Sequence, residues 1–138
     1  MKFCHVTLSV KDIEASLRFY QEIIGLDVKR RFAAGPDTEI AFLGNGDTEV
    51  ELITDAARDG TEPGNDVSLG FMTGSLEDTI ALLREKGYET DGAIISPNPH
   101  VSFFFARDPD GYNVQFVKGS SYVELNTAGE IGHSGRPD

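Results

Sequence analysis

Residues 3–26, FCHVTLSVKDIEASLRFYQEIIGL, change their hydrophobic period halfway, and residues 67–87, VSLGFMTGSLEDTIALLREKG, do so again. In the first stretch Val6, Leu8 and Val10 alternate, the period of a strand with one buried face. From Ile13 onward the apolar residues Ile13, Leu17, Tyr20 and Ile24 recur at helical spacing. Asp12 stands where a side-chain oxygen caps a first turn, and Gly25 where left-handed backbone closes a last one. In the second stretch 67–73 reads as a strand, Ser75 as the cap, Leu76, Ile80 and Leu83 as one helical face, and Gly87 as the stop. The two caps are 63 residues apart and the two closing glycines 62, the spacing of a duplicated unit.

Working outward, each helix is followed by three short apolar runs. The first set spans 26–32, 39–43 and 48–54, punctuated by Gly35-Pro36 and Gly44-Asn45-Gly46-Asp47. The second spans 88–95, 101–106 and 113–117, punctuated by Ser96-Pro97-Asn98-Pro99 and Asp108-Pro109-Asp110-Gly111. The last is a strong hairpin signal, since Pro presets φ and Gly tolerates positive φ. The expected class is α+β: two tandem βαβββ modules whose curled mixed sheet surrounds a central trough. Module 1 occupies 1–55, a polar linker 56–65 and module 2 66–124, with a flexible tail at 125–138 that carries His133.

The 138 residues amount to one ordinary domain, and 39% hydrophobic residues are enough for a real core. Twelve Lys plus Arg stand against 23 Asp plus Glu, a net charge of −11. That surface repels phosphate backbones and anionic lipid, so neither nucleic acid nor membrane is expected as a partner. The single cysteine, Cys4, has no internal disulfide partner, and the start lacks the apolar stretch of a signal peptide. A cytoplasmic protein is the expectation.

Duplication directs attention to polar residues at equivalent strand positions. His5 in the first strand shifts by 63 onto Ser68, and Glu51, inside Val50-Glu51-Leu52-Ile53, shifts by 64 onto Gln115. Imidazole and carboxylate are donors that Zn²⁺, Ni²⁺, Fe²⁺ or Mn²⁺ accept, whereas a Gln carbonyl oxygen is weaker and a Ser hydroxyl weaker still. The residues alone leave a plainer alternative open: a hydrogen-bonded strand histidine and an exposed edge carboxylate.

The run from His5 through Asp12 to Phe19-Tyr20 and Gly25-Leu26, with Phe104-Phe-Ala-Arg-Asp108-Pro-Asp-Gly111-Tyr-Asn-Val-Gln115-Phe, resembles the vicinal oxygen chelate superfamily. The likeness spans residues 1 to about 118 and is greatest to glyoxalase I (lactoylglutathione lyase) and methylmalonyl-CoA epimerase. It implies paired modules around a divalent metal, a small-molecule ligand and a homodimer. The family's usual ligands, His or Gln, Glu, His and Glu on strands one, four, five and eight, fall on His5, Glu51, Ser68 and Gln115. The first two match and the last two depart. Glyoxalase I chemistry, as the resemblance implies it, moves a proton between adjacent carbons of a hemithioacetal, which needs a base and a Lewis acid. Gln115 accepts no proton at neutral pH, so Glu51 is left as candidate catalytic base as well as metal ligand beside His5 and Gln115.

Three readings follow: a glyoxalase-I-like isomerase, a metal-independent small-molecule binder of the resistance type, and an epimerase or dioxygenase. Ser68, His100, Phe103 and Phe105 are candidate pocket residues. His100 is either a solvent-exposed loop histidine or, with the loop folded inward, a replacement imidazole. Strand alternation sets Cys4 and His5 on opposite faces, which argues against a Cys–His nucleophile.

Overall fold

The computed structural model describes residues 1–57 and 61–118. Residues 119–124 of the expected second module, the expected tail with His133, and Gly60 of the linker lie outside the described residues. The elements run β1 (His5–Ser9), α1 (Ile13–Arg18), a π-helical turn (Phe19–Ile23), β2 (Asp27–Ala33), β3 (Thr38–Gly44) and β4 (Glu49–Asp55). The order then repeats as β5 (Ser68–Thr73), α2 (Leu76–Glu85), β6 (Ile95–Asn98), β7 (Val101–Arg107) and β8 (Asn113–Lys118). The strands form two separate four-stranded mixed sheets, ordered β1-β4-β3-β2 and β5-β8-β7-β6. No helix among the described residues is long and apolar enough to cross a membrane.

Both helices begin and end as their sequences dictate. Asp12 accepts from the backbone N–H groups of Glu14 and Ala15, and Ser75 from that of Asp78. Gly25 and Gly87 both stand at φ of 87°, where a side chain would be strained. The first helix is not uniform, however. After six α-helical residues it widens, and the Ile24 N–H reaches back five residues to the Phe19 carbonyl. The wider turn lets the adjacent Phe19 and Tyr20 both bury completely, which a regular amphipathic helix does not do for consecutive residues.

Each sheet turns one face to its helix. In the first, Leu8, Leu43, Val50 and Leu52 pack on that side, against Ile13 and Leu17. In the second, Phe104 and Phe116 stack with ring centroids 5.1 Å apart, beside Val114 and the α2 residues Ile80 and Leu83. Contacts divide the chain into two units, Met1–Gly64 with Asp108–Gly111, and Asn65–Arg107 with the segment from Tyr112 onward. The Asp-Pro-Asp-Gly turn between β7 and β8 therefore belongs by contact to the first unit. Within that unit the Tyr20 hydroxyl donates to buried Asp108 at 2.8 Å. Asp110 accepts from the Lys11 backbone N–H at 2.9 Å and from the Ser16 hydroxyl at 3.3 Å.

The sixth strand departs from the sequence reading. Residues 88–94 form no strand, and β6 uses Ser96, Pro97 and Asn98, which were expected to form a turn. Gly92 at φ of 66°, with the Thr90 and Asp91 side chains bonded to the next backbone N–H groups, bends the earlier segment. Pro97 is tolerated because β6 is an edge strand, with no outer partner among the described residues for its missing N–H.

Tyr20→Phe removes a donor from a buried carboxylate without removing the ring, so it should lower the unfolding free energy by about 1–3 kcal/mol. Urea titration of parent and variant measures this directly; equal midpoints would show that the Asp108 bond contributes nothing.

Candidate functional site

In the first unit β1 and β4 run parallel, with His5 opposite Glu49 and Thr7 opposite Glu51. Side chains alternate, so His5, Thr7, Glu49 and Glu51 share the sheet face turned away from α1. His5 Nε2 lies 3.5 Å from Glu51 Oε1, with side-chain exposures of 40% and 13%. The same Oε1 accepts the Thr7 hydroxyl at 2.6 Å. The imidazole also meets Phe42 edge-on, at a centroid distance of 5.7 Å. These contacts fix the ring and the carboxylate against each other.

Two donor atoms bound to one Zn²⁺-like ion at 2.0–2.2 Å and a tetrahedral angle lie about 3.4 Å apart. The 3.5 Å spacing of His5 and Glu51 thus suits two adjacent coordination positions. Among the described residues no group of three His, Cys, Asp or Glu side chains gathers around one ion position. A metal on this pair would take further donors from an amide, a hydroxyl, water or a ligand.

Residues that the sequence reading did not single out complete the same face. Arg30 Nη1 and Nη2 donate to the two Glu49 oxygens at 3.3 and 2.8 Å, and the guanidinium lies 4.3 Å from the Phe42 ring centroid. The Arg30 hydrogen bond holds the Glu49 carboxyl below the usual carboxylate range, and the charges of Arg30, His5 and Lys29 add to the effect. Phe32 stacks on Phe42 at 6.4 Å. Thr7 and Glu49 were recoverable from strand parity, lying two residues from His5 and Glu51. Arg30 was not, because a bulge between Val28 and Arg30 shifts the register against β3.

Cys4 corrects one expectation. Its Sγ lies 3.5 Å from His5 Nδ1 instead of pointing to the opposite face. The strand begins only at His5, so alternation does not govern the residue before it.

In the second unit Ser68 pairs with Asn113 and Gly70 with Gln115, the register of His5 with Glu49 and Thr7 with Glu51. Ser68 is exposed and Gln115 half-buried, on the sheet face away from α2. Gln115 Oε1 is 3.8 Å from where a Gly70 Cβ would stand, so the missing side chain leaves it room. Phe103 and Phe105 meet edge-on on this face at 5.8 Å, while Phe104 turns into the core. His100 is exposed in the turn between β6 and β7, its backbone N–H bonded to Asn98. A cavity of about 330 Å³ in the first unit lies farther along β1 and β4, over Ser9, Ile53 and Asp55, and is lined by neither His5 nor Glu51.

Residues 2–116 match the Glyoxalase/Bleomycin resistance protein/Dioxygenase superfamily. A lactoylglutathione lyase of Neisseria meningitidis is 30% identical, over 93% of this chain and 100% of that protein. A glutathione transferase FosA of Serratia marcescens is 29% identical, over 95% and 90% of the two chains. The trypanothione-dependent glyoxalase I of Leishmania major superposes with a TM-score of 0.82 over 96% of each chain. At 22% identity, that last likeness is one of fold.

Because folding lowers the Glu49 pKa, the Arg30–Glu49 pair contributes fully above the ordinary carboxylate value and is lost as pH falls through the lowered one. Carbon-detected NMR should therefore find the Glu49 midpoint below that of an unpaired glutamate, and Arg30→Gln should raise it. A midpoint unmoved by Arg30→Gln would rule out the pair as the cause.

Proposed function

Because the chain belongs to the glyoxalase/bleomycin resistance protein/dioxygenase superfamily, we propose that it acts as a lactoylglutathione-lyase-type isomerase on a small α-oxo or hemithioacetal substrate. His5 and Glu51 hold a divalent metal, Zn²⁺, Ni²⁺, Mn²⁺ or Fe²⁺. The observation that carries the reading is the 3.5 Å approach of His5 Nε2 to Glu51 Oε1 on the open sheet face. A bound metal would supply Lewis-acid stabilisation of oxyanion charge. The protein's own residues do the rest. His5 is oriented by Phe42, and Glu51 is steadied through Oε1 by Thr7. Thr7 and His5 both approach the Glu51 carboxylate at Oε1, which leaves Oε2 as the atom to take and return the proton. Gln115, which corresponds to Glu51 in the repeat, offers an uncharged oxygen, a weaker donor to a metal than a second carboxylate would be. The molecule works as a homodimer in the cytoplasm.

A second reading is favoured by Ser68 and Gln115 standing at the two other ligand positions: a metal-independent binder of small molecules. The superfamily also leaves room for an epimerase or dioxygenase built on His5, Glu51 and a third donor such as His100.

Titrating the four metals into chelator-stripped protein by calorimetry should give saturable binding. His5→Ala and Glu51→Ala should each weaken it at least about tenfold, or about 1.4 kcal/mol. If both alanine variants bind as well as the parent, the pair is not a metal site. Methylglyoxal with a panel of thiols should then be isomerised by the metal-loaded protein; inactivity with every thiol and metal leaves the binding reading.

A further inference from the structure

The turn joining β3 to β4, Gly44-Asn45-Gly46-Asp47, reaches across to the end of the first helical segment. Asn45 Nδ2 donates to the Gly25 carbonyl at 3.0 Å, and Oδ1 accepts from the Asp27 N–H at 3.2 Å. One side-chain amide thus clasps the chain on both sides of Leu26, where left-handed Gly25 turns it from helix into β2. The turn that carries this clasp is itself open. Asn45 and Gly46 are exposed, the Gly46 N–H makes no hydrogen bond among the described residues, and nothing stands within 4 Å of where a Gly46 Cβ would be.

The carboxamide carbon of an asparagine is an electrophile for the backbone nitrogen that follows it. That N–H gives its proton to solvent base, the nitrogen bonds to Cγ, the Cγ–Nδ2 bond breaks, and Nδ2 leaves with a proton from water as ammonia. Water then opens the five-membered imide at either carbonyl, giving aspartate, or isoaspartate with the main chain running through Cβ and Cγ. The net change is asparagine plus water to aspartic acid plus ammonia. A nitrogen free of hydrogen bonds and followed by no Cβ reacts most readily, which is the state of Gly46. The other four asparagines precede Asp66, Pro99, Val114 and Thr127. We infer that Asn45 is a site of spontaneous deamidation, and that its conversion releases the clasp on Gly25 and Asp27. Aspartate at this position keeps an acceptor for the Asp27 N–H but sets a charged oxygen against the Gly25 carbonyl where a donor stood. Isoaspartate lengthens the main chain and carries the carboxylate off both partners. Either product adds a negative charge beside Asp47 on a chain of net charge −11. The site uses neither His5 nor Glu51, so it stands or falls separately from the isomerase reading.

The test is to hold the full chain warm at mildly alkaline pH and follow it by peptide mass spectrometry. The peptide containing Asn45 should gain one mass unit with first-order kinetics, and fragmentation should find both aspartate and isoaspartate there. The other four asparagines should stay intact over the same period. Gly46→Ala fits the open turn, since Gly46 is not at positive φ, and should slow the gain at least about tenfold by crowding the attacking nitrogen. In the aged protein, hydrogen exchange at the Leu26 and Asp27 amides should quicken, and Asn45→Asp should unfold at a lower urea midpoint than the parent. No mass gain at Asn45, faster conversion at another asparagine, or a Gly46→Ala chain that ages at the parent's rate would overturn the site. Unchanged exchange at Leu26 and Asp27 in converted protein, or a parent-like midpoint for Asn45→Asp, would overturn the release of the clasp. The exchange measurement uses the parent chain alone, so it decides the matter even if Asn45→Asp does not fold.

Discussion

In each half of the chain the first strand and the last pair in parallel, and everything on the open face depends on that register. A parallel pair cannot be closed by a tight turn and needs a long crossover. Here the crossover is a helix followed by two antiparallel strands, which covers one face of the sheet and leaves the other for polar side chains. Within the pair, residue and neighbour on one face are offset by two positions. That offset is what sets His5 beside Glu51 while each has another formal partner in the ladder.

The same constraint explains why the fold was so legible. The caps Asp12 and Ser75, the closing Gly25 and Gly87, and the shifts of 63 and 64 that map His5 to Ser68 and Glu51 to Gln115 are all kept by the two ladders. Local rules sufficed for those elements because capping and periodicity act within a few residues. They failed where a distant partner decides. Residues 95–98 look like a turn by composition and become a strand because β7 offers an edge. Arg30 reaches the site through a bulge that no local pattern announces, and Cys4 escapes strand parity by standing just outside the strand.

The two open faces, built on one plan, have diverged in chemistry. The first carries His5, Glu49, Glu51 and Arg30 around Phe42, with His5 beside Glu51 and Arg30 paired with Glu49. The second carries Ser68, Gln115 and Asn113, with Phe103 and Phe105 across the neighbouring strand and one arginine at the end. Neutral groups at the positions that echo His5 and Glu51 give up charge in exchange for apolar surface and amide hydrogen bonding. The imidazole and the carboxylates thereby stand on the first face and the neutral groups on the second.

The turn at Asp108–Gly111 bears on how the molecule is made. Its contacts lie with Lys11, Ser16, Tyr20 and Thr61, across sequence separations of 99, 94, 88 and 49 residues. During synthesis the amino-terminal half emerges first, yet the Tyr20 hydroxyl has no Asp108 to meet until that turn leaves the ribosome. The first unit is thus completed only by a late segment of the chain, and its folding is coupled to residues 88 to 99 positions away. High separation of this kind slows folding.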